Sequence, residues 1–144
     1  MRCLVVMLVL FLSLSCEDDR EIGDMNQLNG YWQIQKAEIP DVVVKNYKGG
    51  LKLVYIEIKE DSIGIRKKVK VSMLDKYKTT PNQEKIKVFT DDGNLKLECK
   101  TPYSEWTEEI LHLSSDSLVI KNQDDKKYYY SKYQLDQSYE NGSQ

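Results

Sequence analysis

The chain offers very few groups that could do covalent chemistry. A serine or cysteine nucleophile needs a base, and the only histidine is His112, set between Leu111 and Leu113. On the parity opposite to those leucines, it is expected to face solvent or a polar interior. No second histidine stands at ligand spacing, so no zinc site or other metal site is expected. Gly-x-Ser-x-Gly, His-Glu-x-x-His, Cys-x-x-Cys and Gly-rich phosphate loops are all missing from the sequence. Glu108 and Glu109 are adjacent, and a strand would send them to opposite faces, which removes them as a facing carboxylate couple. Aspartates in the turns lack the spacing of a calcium loop. An enzyme is not expected, and no cofactor is called for. The run Arg66-Lys-Lys-Val-Lys70 reads as a solvated strand face, with an attraction for anionic partners as the alternative. The net charge of −2 gives no reason to expect nucleic acid.

Aromatic residues are the better clue. Tyr128, Tyr129 and Tyr130 are consecutive, so alternation places Tyr129 on one wall of a strand and Tyr128 and Tyr130 on the other. With Tyr55, Trp106 and Tyr133 they either line a ligand cup or pack across strands on an outer surface. A cup predicts a cavity of about 300 Å³ or more with several of these rings facing inward.

The elements that would position these side chains are strands. Period-two runs are expected near 31–39, 51–59, 62–73, 84–90, 95–101, 104–113, 117–122 and 127–136. In the third, Ile63, Ile65, Val69, Val71 and Met73 share the parity expected to be buried, with Lys67 falling among them as a bulge, a rim position or a sign of a wet interior. Leu95, Leu97 and Cys99 alternate with lysine and glutamate, so Cys99 reads as a small core residue. Asp91-Asp92-Gly93-Asn94 is a tight-turn signal, since Asp-Gly supplies positive φ angles. No long helical pattern competes. Strands in sequence with hairpin links predict an all-β fold, a small eight-stranded antiparallel up-and-down barrel, which leaves no open edge. A two-sheet sandwich is the alternative.

At the amino end, Met1-Arg2-Cys3 is followed by uncharged residues from Leu4 to Leu12, a run too short to span a bilayer. A basic start, a short apolar core and small residues before a break describe a signal peptide over 1–15. Ser15-Cys16 resembles the end of a bacterial lipoprotein lipobox, although Ser13 stands where leucine is usual. The resemblance implies acylation of Cys16 and a membrane partner reached through a lipid anchor. Cys3 would then leave with the signal and Cys99 would stand alone, without a disulfide partner. Residues 16–27 would hold the lipidated cysteine and a charged tether. A barrel would occupy 28–137, and 138–144 would form a disordered tail.

Leu28-Asn-Gly-Tyr-Trp32 contains Gly30-x-Trp32, which resembles the lipocalin signature at the opening of the first strand. The physical rationale is that Gly30 lets the chain pass close to the barrel floor while Trp32 plugs it. Ile110 to Lys121, an acidic turn, and Lys127 to Tyr133 resemble the closing hairpins of lipocalin-like lipoproteins from Bacteroidetes-type bacteria. This resemblance implies a basic residue of the last strand lying across the tryptophan, with Lys132 as the candidate. It also implies an outer-membrane lipoprotein of the cell envelope, with Glu17-Asp18-Asp19 similar to a surface-export signal of that group. The expectation is a monomeric, lipid-anchored barrel that binds a small apolar or amphipathic ligand. The alternative is a solid barrel serving as a protein- or glycan-interaction module.

Overall fold

The computed structural model describes residues 23–47, 51–71 and 77–135. The expected signal over 1–15, Cys16, most of the tether and the tail at 138–144 lie outside the described residues. Strands run β1 Gly30–Ile39, β2 Val42–Asn46, β3 Lys52–Ile58, β4 Ile63–Val71, β5 Tyr77–Asp91, β6 Asn94–Lys100, β7 Glu105–Leu113, β8 Ser117–Lys121 and β9 Lys127–Tyr133. Each of β3 to β8 pairs antiparallel with the next, and β1 pairs with both β3 and β9. The result is a closed eight-stranded antiparallel barrel with β2 as an extra strand.

Strand β2 was not among the expected strands. Its Val42-Val43-Val44 run lacks the alternation that marks a strand. Pro40 and Asp41, the latter at φ 59°, turn the chain so that β2 pairs back onto the far half of β1. There it continues the place that β3 gives up, since β3 pairs with β1 only as far as Gln33 opposite Leu53. Strand β5 also begins earlier than expected, at Tyr77. A proline within a strand lacks a ladder donor, but Pro81 falls where the β4–β5 register shifts, between Lys67 and Val69, and no ladder bond is lost at a bulge.

The turn at Asp92 and Gly93 forms as the sequence predicts. Both residues have positive φ, 49° and 76°, between the paired Asp91 and Asn94. A second bulge at Gln35 puts Gln35 and Lys36 on the same side and so returns Ala37 to the interior, where it is 1 % exposed.

The interior is set by β-alternation from Trp32. Inward positions include Val54, Ile56 and Ile58 of β3, Ile86 and Val88 of β5, Leu95, Leu97 and Cys99 of β6, Ile110 and Leu113 of β7, and Leu118 and Ile120 of β8. In β4 the expected parity is overturned in the lower half, whereas Val69 is buried as expected, at 5 % exposed. Ile56 lies opposite Arg66 and Ile58 opposite Gly64, so Gly64 and Arg66 face in, with Lys68 and Lys70 on the same side of the strand but exposed at the open end. Ile63 and Ile65 lie on the other side, and Ile63 is 49 % exposed. Gly64 explains the choice: a Cβ there would lie 1.9 Å from the Glu57 carbonyl oxygen, so the barrel wall is pinched at that point and admits only glycine.

One end of the barrel is shut by a 3-10 turn, Met25–Leu28, capped by Asp24, whose Oδ1 accepts from Asn26 N at 2.9 Å. Gly23 N donates to Leu113 O at 2.8 Å, so the chain is already bound to the barrel at Gly23, inside the expected tether. Both ends of the barrel chain, Gly23 before β1 and Tyr133 at the end of β9, lie at this shut end. The turns at Asp41, at Thr101–Ser104 and at Asn122–Lys126 stand at the opposite, open end.

Candidate functional site

The floor is built on Trp32, which is fully buried. Its Nε1 donates to Leu28 O at 2.7 Å, so the buried indole meets its one polar need by holding the 3-10 turn in place. Asn29 clamps the same turn to β3, accepting from Ile58 N at 2.5 Å and donating to Ile58 O at 3.3 Å. Lys132 enters from β9 directly opposite Trp32, with Nζ 4.2 Å from the ring centroid. That ammonium donates to Gln27 O at 2.8 Å and also to Asn29 O. Burial pushes its pKa below the ordinary lysine value. Gly30, at φ 119°, gives the strand entrance its room, since a Cβ there would sit 3.2 Å from Lys132 Cε. Lys132 therefore lies across Trp32 as a strap between the last strand and the plug.

Above this apolar floor runs an ionic belt. Arg66 Nε donates to Glu84 Oε2 at 2.5 Å, Nη1 to Glu108 Oε2 at 2.5 Å, and Nη2 to Glu108 Oε1 at 3.0 Å. Trp106 Nε1 adds a bond to Glu108 Oε1 at 2.9 Å, and Arg66 Nη2 reaches Cys99 Sγ at 3.6 Å. The Arg66 and Glu108 side chains are only 13 % and 11 % exposed, a depth at which charges persist only when paired and bonded. Burial alone would raise the Glu108 pKa, but the bonds and charge of Arg66 and the Trp106 N–H outweigh it and hold the carboxyl below its ordinary range. Burial likewise opposes the Arg66 charge, and Glu108 chiefly overcomes it, so the guanidinium is held more firmly protonated. Cys99 is pushed up to about 12 by burial, which keeps it an inert thiol.

Between the belt and the open end lies a cavity of about 610 Å³. Val54, Trp106, Ile120, Tyr128 and Tyr130 supply its apolar walls, the Arg66 network its base, and Lys68, Asn122 and Asp124 stand among its upper residues. Asn122 is fixed as a turn residue, its Oδ1 accepting from Asp124 N and Lys126 N, each at 3.0 Å. Tyr128 and Tyr130 both line this space, and burial raises the Tyr130 pKa.

Of the six aromatic residues considered as ligand-lining, Trp106, Tyr128 and Tyr130 meet in the cavity. Tyr55 does not, because it shares the outward parity of its partner Tyr31, and the two rings pack with centroids 4.9 Å apart. Tyr129 also faces outward, donating to Glu38 Oε2 at 2.9 Å under Lys36 Nζ, 4.1 Å from its ring. Tyr133 lies opposite Tyr31 on the same outer face. His112 is outward as well, because the bulge at Leu111 puts two successive side chains outside. Among the described residues, no group of three His, Cys, Asp or Glu side chains converges as a metal site.

Sequence reasoning missed the belt. The inward turn of Arg66 could have been found from Gly64, since a glycine in mid-strand marks a close approach and fixes the parity of the residues two positions away. No protein-family model matches the chain, and no curated protein matches it.

Proposed function

We propose that this protein is a non-enzymatic carrier or sensor that holds a small amphipathic molecule in the open half of its barrel, on a lipid anchor at Cys16 in the bacterial cell envelope. The observation that carries this reading is the cavity of about 610 Å³ with Trp106, Tyr128 and Tyr130 in its wall. Pockets of this size take molecules of a few rings, and flat aromatic walls with a few polar groups fix their orientation. The ligand offers an apolar face to Trp106 and Val54, and polar edges to the two tyrosine hydroxyls. Long acyl chains fit poorly, since the belt of Arg66, Glu84 and Glu108 bars the way to the apolar floor. The anchor rests on the sequence 10–16, where the apolar run ends at Ser15-Cys16.

Native mass spectrometry of the protein purified from its own host tests the reading. A small-molecule adduct is expected on the wild-type chain and not on Val54→Trp, which fills the cavity. Bare protein in both samples overturns it. That result would favour the alternative, an interaction module working through its outside, for which Tyr103, 96 % exposed at the tip of the β6–β7 turn, is the best placed group.

A further inference from the structure

Strand β4 carries three cations on one face, Arg66, Lys68 and Lys70, rising from the buried belt to the open end, where Lys68 and Lys70 are exposed. On the lowest rung the cation is answered, with Glu84 directly opposite Arg66 on β5 and Glu108 completing the pair. On the highest rung it is not. The register sets Lys70 opposite Lys52 of β3 on one side and Lys78 of β5 on the other. Like charges directly opposite one another destabilise a sheet, so Lys52 beside Lys70 carries a cost that the fold gains nothing from. Among the described residues Lys70 has no ion pair, and Lys52 has only the Tyr47 ring, 5.0 Å from its Nζ. Two residues down from Lys70 and Lys52 on the same face, Lys68 and Val54 line the cavity.

We infer that Lys52 and Lys70 form an anion seat at the mouth of the barrel, and that the ligand is a compact aromatic or amphipathic molecule bearing one carboxylate, sulfonate or phosphate group. This rests on the cavity being a ligand site. The anionic group sits among the lysines, and the apolar body hangs below it against Val54, Trp106 and Tyr128. The orientation follows from the charges: the base of the cup already holds Glu84 and Glu108 with Arg66 satisfied by both, so an anion has no place there. Arg66 is thereby a structural cation, and Lys52 and Lys70 are the recognition cations.

Isothermal titration calorimetry of the full chain with naphthalene-2-sulfonate and its neutral counterpart naphthalene-2-sulfonamide separates the two ideas. The wild type is expected to bind the sulfonate about tenfold more tightly than the sulfonamide, an advantage that shrinks with added salt. Lys52→Gln/Lys70→Gln is expected to weaken the sulfonate about tenfold and leave the sulfonamide within twofold. Because both positions are exposed at the rim, this variant keeps the fold, and its urea midpoint checks that. Equal affinity for the two compounds, or equal losses in the variant, overturns the anion seat while leaving the cavity reading in place. No binding of either compound, with Val54→Trp no different, overturns both.

Discussion

At the scale of single residues, the charge balance around Arg66 decides how the protein responds to acid. Glu108 is held below the ordinary carboxylate pKa in the folded state, so it favours folding while ionised and loses that contribution as pH falls through its folded value. Wild-type stability is therefore expected to be level above about pH 5 and to fall progressively below it. Glu108→Gln should cost about 3–5 kcal/mol at neutral pH, because it leaves Arg66 under-compensated. In urea titrations across pH its acid-side slope should be shallower than the wild type's, and an unchanged slope would remove Glu108 from this role. The same residues show what the sequence could and could not say about the site. Trp106, Tyr128 and Tyr130 were legible because aromatic rings declare themselves locally, whereas Lys132 beside Trp32 was singled out only by the resemblance to lipocalins. The Arg66, Glu84 and Glu108 network joins positions 42 residues apart at its widest, and no local pattern announces that.

At the scale of elements, β4 carries the most consequence. Its apolar side chains suggested one parity and its glycine enforced the other. Leu53 and Val69, directly opposite each other on the side away from Arg66, are 2 % and 5 % exposed, so the apolar parity still marks buried positions in the upper half. Hydrophobic alternation marked a strand here correctly and named the wrong side only around Arg66, which the barrel buries inward because it is paired. Gly64→Ala tests the pinch. An added methyl 1.9 Å from a backbone oxygen cannot be absorbed by a rotamer change, so a loss of about 3 kcal/mol or more is expected in the urea midpoint. Gly93→Ala is the control, because nothing lies within 4 Å of its Cβ position and only the positive φ is strained. It should lose about 1–2 kcal/mol. The omission of β2 has a similar source: three consecutive valines carry no period, and the strand exists because β1 offers an edge for it.

At the scale of the whole molecule, the barrel is two compartments stacked on one axis. The shut half is packed with Trp32, Leu28, Leu97, Ile110, Leu113 and Leu118, all at most 1 % exposed. The open half has an ionic base and a cavity. The closed barrel was legible from strand count and hairpin turns, whereas the division into dry and wet halves was not, since it depends on which face each strand turns inward. Native-state amide exchange should reproduce the division. Leu97 and Ile110 are expected to exchange at the global unfolding limit. Residues Val42–Asn46 of β2, paired along one side only with β1, should exchange several orders of magnitude faster. Uniform protection would contradict it.

The bond from Gly23 to Leu113 and the end of β9 beside β1 place the way in and the way out of the barrel chain at the same shut end. Within the described residues, the chain therefore enters and leaves the barrel on the side away from the cup. If the anchor proposed at Cys16 holds, the barrel would stand like a vessel on a stem, its mouth turned outward to the surrounding fluid. Molecules would then enter from solution, without first passing through the surface to which the stem is fixed.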